Sequence, residues 1–273
     1  SDVCSSDLGV TFKVEKDELE PGTPILEIRD LHMAGRSGRD VLNGIDLVVR
    51  ENEILGIAGV GGNGQNEIFD AIVGTRKSRQ GEILLDNRPI TNLDPTAIME
   101  RGIASIPADR MNQGLLLDFS VAENLMLGSH RKAPYFNGLY LQDRSIITRA
   151  EEMIREYSVS TSGPKQISSR LSGGNLQKLI LARELSRNVR CVIADCPTRG
   201  LDVGAIEYIY QRLVELRDEG IGVLLISEDL DEIFNVADRI AVLHKGQIMG
   251  DIPTRDANRE QIGLLMAGVR EEV

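Results

Sequence analysis

The chain has no tryptophan, and aromatic residues make up only 4% of it. A core built from this composition must be aliphatic, because the large aromatic side chains that often dominate interiors are scarce. Basic residues are also in short supply. Thirty-one Lys and Arg face 42 Asp and Glu, for a net charge of −11. That balance excludes nucleic acid as the main partner, since binding a phosphate backbone needs a basic face. Long apolar runs are missing too. Runs such as Gly222–Ile226 fall far short of the roughly 20 residues that span a bilayer. The three cysteines form neither an even framework nor a metal-type spacing, so reduced thiols in a cytosolic setting are expected. No signal-peptide pattern opens the chain.

The 273 residues, 41% of them apolar, suffice for one large or two small globular domains. The first eight, SDVCSSDL, do not match the rest of the chain and are expected to be an assembly artefact, Cys4 included. Residues 9–24 are charged, end in PGTP and read as a linker. Strands are expected at 25–31, 44–52 and 53–59, then a glycine cluster and a helix at 65–73. A hairpin with a D-N turn is expected at 81–90, and a helical region over roughly 118–187. Helix 175–187, strand 189–195, helix 204–218, strand 221–227 and helix 229–236 alternate as in parallel α/β folds. A hairpin at 239–252 turns at Lys245-Gly246, with His244 read as a surface residue; 253–273 reads as a helical tail with a solvated acidic end, Glu271-Glu272.

Two segments carry chemistry. The first comes directly after strand 53–59 and runs Gly59-Val60-Gly61-Gly62-Asn63-Gly64-Gln65-Asn66. It keeps the glycine frame of G-x-x-x-x-G-K-[ST], with Gln65 for the lysine and Asn66 for the Ser/Thr. Such glycines let consecutive backbone N–H groups converge on phosphate oxygens beside a helix N-terminus. The ammonium that neutralises the β/γ-phosphates is lost. On its own the loop reads equally as a strand-to-helix turn without a ligand. The second segment is Leu171-Ser172-Gly173-Gly174-Asn175, with Gln177-Lys178 after it and then a strand ending in Asp195. Ser-Gly-Gly can simply cap a helix; it also lets backbone and helix dipole approach an anion.

Together these motifs resemble the ATP-binding-cassette (ABC) ATPases over roughly residues 25–268. LSGGN at 171–175 matches their signature. Val189–Asp195 resembles their Walker B strand, and Pro197–Asp202 their D-loop. Details such as GNGQNE, the ADR segment with GLLLDFSVAENL after it, PTRGLDVGAIE and SEDLDEI are similar to the second, C-terminal ATPase half of simple-sugar and nucleoside importers.

The resemblance implies a P-loop α/β fold: a mixed sheet core with an antiparallel β subdomain and a helical subdomain, the ATPase domain spanning 25–252. It implies ATP and Mg²⁺ as ligands. Gly59, Gly61, Gly62, Asn63, Gly64, Gln65, Asn66 and Asp195 would bind ATP, with Asn66 and Asp195 toward the metal. Leu171, Ser172, Gly173, Gly174 and Asn175 would meet a partner's ATP, and Asp202 a dimer seam. Cys196 stands where the family has its catalytic glutamate, Ala108 where it has a Mg²⁺-sensing glutamine, and Glu228 where it has a γ-phosphate-sensing histidine. A neutral thiol is a poor base for water, and losing a positioned base costs about 10²–10⁴-fold. No catalytic residue is therefore assigned. Glu228 would repel a γ-phosphate if it faced one; pointing to solvent is the plainer alternative.

The expected protein is thus a transport-coupled ATPase half, weakly active or inactive alone. It would pair with an N-terminal half expected to be missing from this chain. Its further partners would be transmembrane permease subunits on the cytoplasmic face of the inner membrane and, indirectly, a solute-binding protein. A nucleotide-binding conformational module without an enzymatic role stays open beside it.

Overall fold

The computed structural model describes residues 14, 16–35 and 38–269. The expected artefact 1–8 with Cys4, part of the linker, and Glu271-Glu272 lie outside them. Two compact units form. The first comprises residues up to 105, 189–196 and 206 onward; the second comprises 106–188 and 197–205.

The first unit holds two sheets. Strands β1 (Pro24–Ala34), β2 (Asp40–Arg50), β4 (Gln80–Leu85) and β5 (Arg88–Pro89) form an antiparallel sheet in the order β2-β1-β4-β5. The expected D-N turn joins β4 to β5. Asp86 and Asn87 both have positive φ, 48° and 60°, as a two-residue hairpin turn matching the strand twist requires.

The six-stranded sheet contains β3 (Ile54–Ala58), β6 (Ile103–Ile106), β7 (Cys191–Asp195), β8 (Gly222–Ser227), β9 (Arg239–His244) and β10 (Gln247–Pro253), in the order β10-β9-β3-β8-β7-β6. Every residue of β3, β7 and β8 is buried. Their largely aliphatic runs, ILGIA, CVIAD and GVLLIS, are what parallel strands covered on both faces require. Each buried Ile, Leu or Val contributes about 1.5–3 kcal/mol. The expected strand at 189 begins instead at Cys191, because the Arg190 guanidinium turns out to Asp86 at 2.9 Å and Glu51 at 3.3 Å.

Helices α1 (Gln65–Val73), α2 (Pro95–Glu100), α6 (Val203–Asp218), α7 (Leu230–Val236) and α8 (Arg259–Met266) connect these strands or come after them. Gly56 in β3 has no room for a methyl group, since Ala237 and Ile233 would lie at 2.9 and 3.0 Å; α7 therefore lies directly on this strand. His244 corrects the sequence reading. It is half-buried, and its Nδ1 lies 2.9 Å from the Met266 carbonyl, tying the end of α8 to β9.

The second unit contains α3 (Val121–Met126), α4 (Asp143–Glu156), α5 (Gly173–Leu185) and a one-turn π-helix at Arg110–Gly114. A capping box starts α3: the Ser120 hydroxyl accepts the Glu123 N–H, and the Glu123 carboxylate accepts the Ser120 N–H. Asn124, fully buried, organises the loop before it. Its side chain accepts from Leu116 N–H and donates to the carbonyls of Leu116 and Ser120 and to the Ser168 hydroxyl.

Candidate functional site

Three strands deliver the first cluster. β3 and β7 each run parallel to β8, with Ala58 beside Ser227 and Asp195 beside Ile226. Gly59, Glu228 and Cys196 therefore leave the carboxyl ends of neighbouring strands spaced about 5 Å apart. Ligands of open α/β sheets bind at such ends.

The glycine loop has the bends its sequence requires, with φ of 86° at Gly62 and 118° at Gly64. A side chain at Gly62 would meet nothing within 4 Å, so that face of the loop is open. The interior is filled. Gln65, only 5% exposed, folds back under the loop: its Nε2 donates to the Val60 carbonyl at 3.0 Å, and its Oε1 accepts the Asn63 N–H at 3.1 Å. A lysine could make the first bond but not the second, since an ammonium has no acceptor. Asn63 also holds the loop from behind. Its side chain donates to the Val60 carbonyl and accepts the Lys245 N–H, and its carbonyl accepts the Gly246 N–H. Asn66 is exposed in the first turn of α1.

Glu228 is open to water, yet its carboxylate lies over the loop. Its Oε1 would sit 2.6 Å from a Cβ placed on Gly61, so the exposed side chain is both open to solvent and beside the loop. Asp195 is buried, 6% exposed. Cys196 takes the left-handed φ of 43°, and its N–H donates to the Ile226 carbonyl. Burial pushes its thiol up to about 12, helped by the neighbouring charges of Asp195 and Glu232. At neutral pH it is a thiol, hence neither a base for water nor a nucleophile. The backbone frame thus fits a polyphosphate, and Asp195 is a suitable oxygen donor for a hard cation. The charge does not fit: the lysine position supplies an amide, and Glu228 sets a carboxylate beside Gly61. No hydrolytic step is derived at this loop.

The second cluster lies in the second unit. Ser172 caps α5, its hydroxyl accepting from the Asn175 N–H and from Nδ2 at 2.8 Å; Asn175 Oδ1 accepts the Ser160 N–H at 2.7 Å. Leu171 is buried beneath the turn. Arg110 and Ala205 approach the two glycines closely, and Leu201 and Asp202 lie at ordinary contact distance. A Cβ on Gly173 would lie 3.3 Å from Arg110 Nη2 and 3.6 Å from Leu201, and one on Gly174 would lie 2.9 Å from Ala205 and 3.5 Å from Asp202. Asp202 itself accepts the Ala205 N–H at 3.0 Å. Half-buried Ala108 comes two residues after β6. Next to it, Asp109 accepts from the Asn112 side chain and from the N–H groups of Asn112 and Met111, and these bonds hold its carboxyl below the usual range. Arg110 donates to the carbonyls of Arg199 at 2.7 Å and Gly200 at 3.4 Å. Sequence reasoning gave Arg110 no part of its own and read Lys245 and Gly246 only as a turn; their further roles come from contacts made about 90 or 180 residues away along the chain.

A family model described as ABC transporter matches residues 42–199, more than half of the chain. The chain belongs to the ABC transporter family. Import proteins are among its curated relatives. The nucleoside import ATP-binding protein NupA of Lactococcus lactis subsp. cremoris is 45% identical over 95% of this chain and 51% of its own length. The guanosine import ATP-binding protein NupO of Bacillus subtilis is 44% identical over the same shares. The ribose import ATP-binding protein RbsA of Oceanobacillus iheyensis is 38% identical over 88% of this chain and 47% of its own. The chain spans about half the length of these relatives. The ABC fold is shared with a nucleotide-free ATP-binding cassette from an ABC transporter, at TM-score 0.73 and 24% identity over 90% of this chain and 96% of that one. A post-hydrolysis dimer of the cassette MJ0796 bound to ADP and Pi gives TM-score 0.72 and 23% identity over 85% and 100%. Among the described residues no helix is long and apolar enough to cross a membrane.

Proposed function

We propose that this chain is an ATP-binding half of an ABC importer for nucleosides or simple sugars, with a degenerate site of its own and an intact signature that serves a partner half. The two relatives above 40% identity that import a nucleoside and guanosine support the solute class. Relatives about twice as long support a second ATPase half as the partner, with permease subunits and a solute-binding protein completing the system. The chain works peripherally, at the cytoplasmic face of the membrane.

One contrast carries the division of labour. Gln65 closes the glycine loop on itself, Cys196 is a protonated thiol and Glu228 lies against Gly61, whereas Ser172, Gly173 and Gly174 form an ordered helix start. In this reading Leu171–Asn175 meet the γ-phosphate of ATP held by the partner half, and Asp202 lies at the seam. Asp195, with Asn66, would hold Mg²⁺ on any nucleotide bound to this chain's own loop. Bound Mg²⁺ supplies charge neutralisation at phosphate oxygens. The isolated chain turns over ATP slowly or not at all.

The test is Ser172→Arg in the full-length protein assembled with its membrane subunits. Hydrolysis should fall by about 10²-fold or more, the scale on which positioned anion-stabilising groups act, while loss of the α5 cap, worth about 1 kcal/mol, lowers the thermal midpoint by only a few degrees. Undiminished hydrolysis would overturn the proposal.

A further inference from the structure

Arg110 opens the π-helical turn after β6. Arginines held inside a fold usually meet carboxylates. This half-buried one spends its fork on two successive main-chain carbonyls, those of Arg199 and Gly200. Both belong to the segment 197–202, in which the Leu201 N–H donates to the Thr198 carbonyl. Gly200 has φ of +67°, so the chain bends where the guanidinium grips it. The same Nη2 closes over the signature turn, 3.3 Å from the position of a Cβ on Gly173, and Leu201 and Asp202 lie next along that turn. Asp109, in front of Arg110, is occupied by the N–H groups and side chain of its own π-helical turn, which fixes the base from which Arg110 reaches. Burial presses on the charged form of this guanidinium, a cost that the two carbonyl bonds offset.

We propose that Arg110 is a positioning residue: it pins residues 199–202 against the Ser172–Gly174 turn and so sets the surface that a partner half's ATP meets. The pin itself stands on the geometry alone; its catalytic consequence rests on the signature reading proposed above. A positioned surface of this kind matters because an error of about 1 Å can cost 10²-fold in rate.

The test compares Arg110→Ala, Arg110→Gln and Arg110→Lys in the full-length protein. Amide hydrogen exchange is measured first, without nucleotide. Exchange across 197–202 and 171–174 should quicken about tenfold or more in the Ala variant, because local openings govern it. It should quicken less in the Lys variant, whose point charge cannot span both carbonyls, while α4 at 143–156 stays unchanged. In the assembled transporter kcat should fall about 10–100-fold with KM for ATP within about twofold, the signature of an interaction made only in the transition state. Unchanged exchange in all three variants overturns the pin. Faster exchange with unchanged kcat overturns its role in hydrolysis. Ser172→Arg run in parallel separates the two readings: if it leaves hydrolysis intact, the signature proposal fails while exchange still judges the pin. Should Arg110→Ala fail to fold, the Gln and Lys variants carry the test.

Discussion

At the scale of single residues, Gln65 fills the interior of the glycine loop. The N–H of Asn63 is one of the donors a phosphate oxygen would take in a loop of this frame. Here the Gln65 carbonyl oxygen already takes it. An incoming nucleotide must break a satisfied neutral hydrogen bond, worth about 1 kcal/mol net, and gains no ammonium in return. Gln65→Ala should therefore tighten binding of a fluorescent ADP analogue to this chain about threefold to tenfold, and Gln65→Lys should tighten it further. Weaker binding by the Ala variant would show Gln65 to be a ligand of the nucleotide. The departures proposed at 65, 196 and 228 are legible in the sequence, because glycine spacing and strand ends mark the positions the resemblance implies. Side-chain direction is not legible there. Gln65 turns inward onto Val60 and Asn63, sequence neighbours whose geometry only the folded loop sets, and Glu228 leans over Gly61, which is distant along the chain.

At the scale of elements, the buried strands were legible because they are aliphatic throughout, and α1 because glycines bound it on both sides. The supports between elements were hidden. The clearest is the turn between β9 and β10, which reads from sequence only as a turn at Lys245-Gly246. In the structure it holds the glycine loop through Asn63 and meets β2, where Asn43 N–H donates to the Gly246 carbonyl. Gly246 has φ of +73°, and a Cβ there would lie 1.7 Å from the Val41 carbonyl. Left-handed backbone alone costs an alanine about 1 kcal/mol, and an overlap this deep forces the strand away. Gly246→Ala should lose about 3 kcal/mol or more, seen as a fall of several degrees in the thermal midpoint. It should also expose the amides of 60–65 to faster exchange. A midpoint equal to wild type would show that the turn is not what holds the loop. Arg110 belongs to the same class of hidden support, since only the fold brings residue 110 to residues 199 and 200.

At the scale of the whole molecule, the proposed function gives the two clusters unequal parts, and that inequality can be tested. An ordinary hydrolytic site would need the loop, Asp195 and a base to act together. Here the loop is self-satisfied and the residue after Asp195 is a protonated thiol, so in the proposed division of labour Asp195 supports at most a bound nucleotide. In the full-length protein assembled with its membrane subunits, Asp195→Asn removes the charge that would hold a cation and keeps the shape. Steady-state hydrolysis should then stay within about threefold of wild type, against the collapse expected for Ser172→Arg. Removing a metal-holding carboxylate from a working site costs far more, because charge stabilisation by the metal is worth several kcal/mol. A collapse with Asp195→Asn as deep as with Ser172→Arg would place hydrolysis on this chain's own loop. It would also require a water-activating group other than Cys196 beside it.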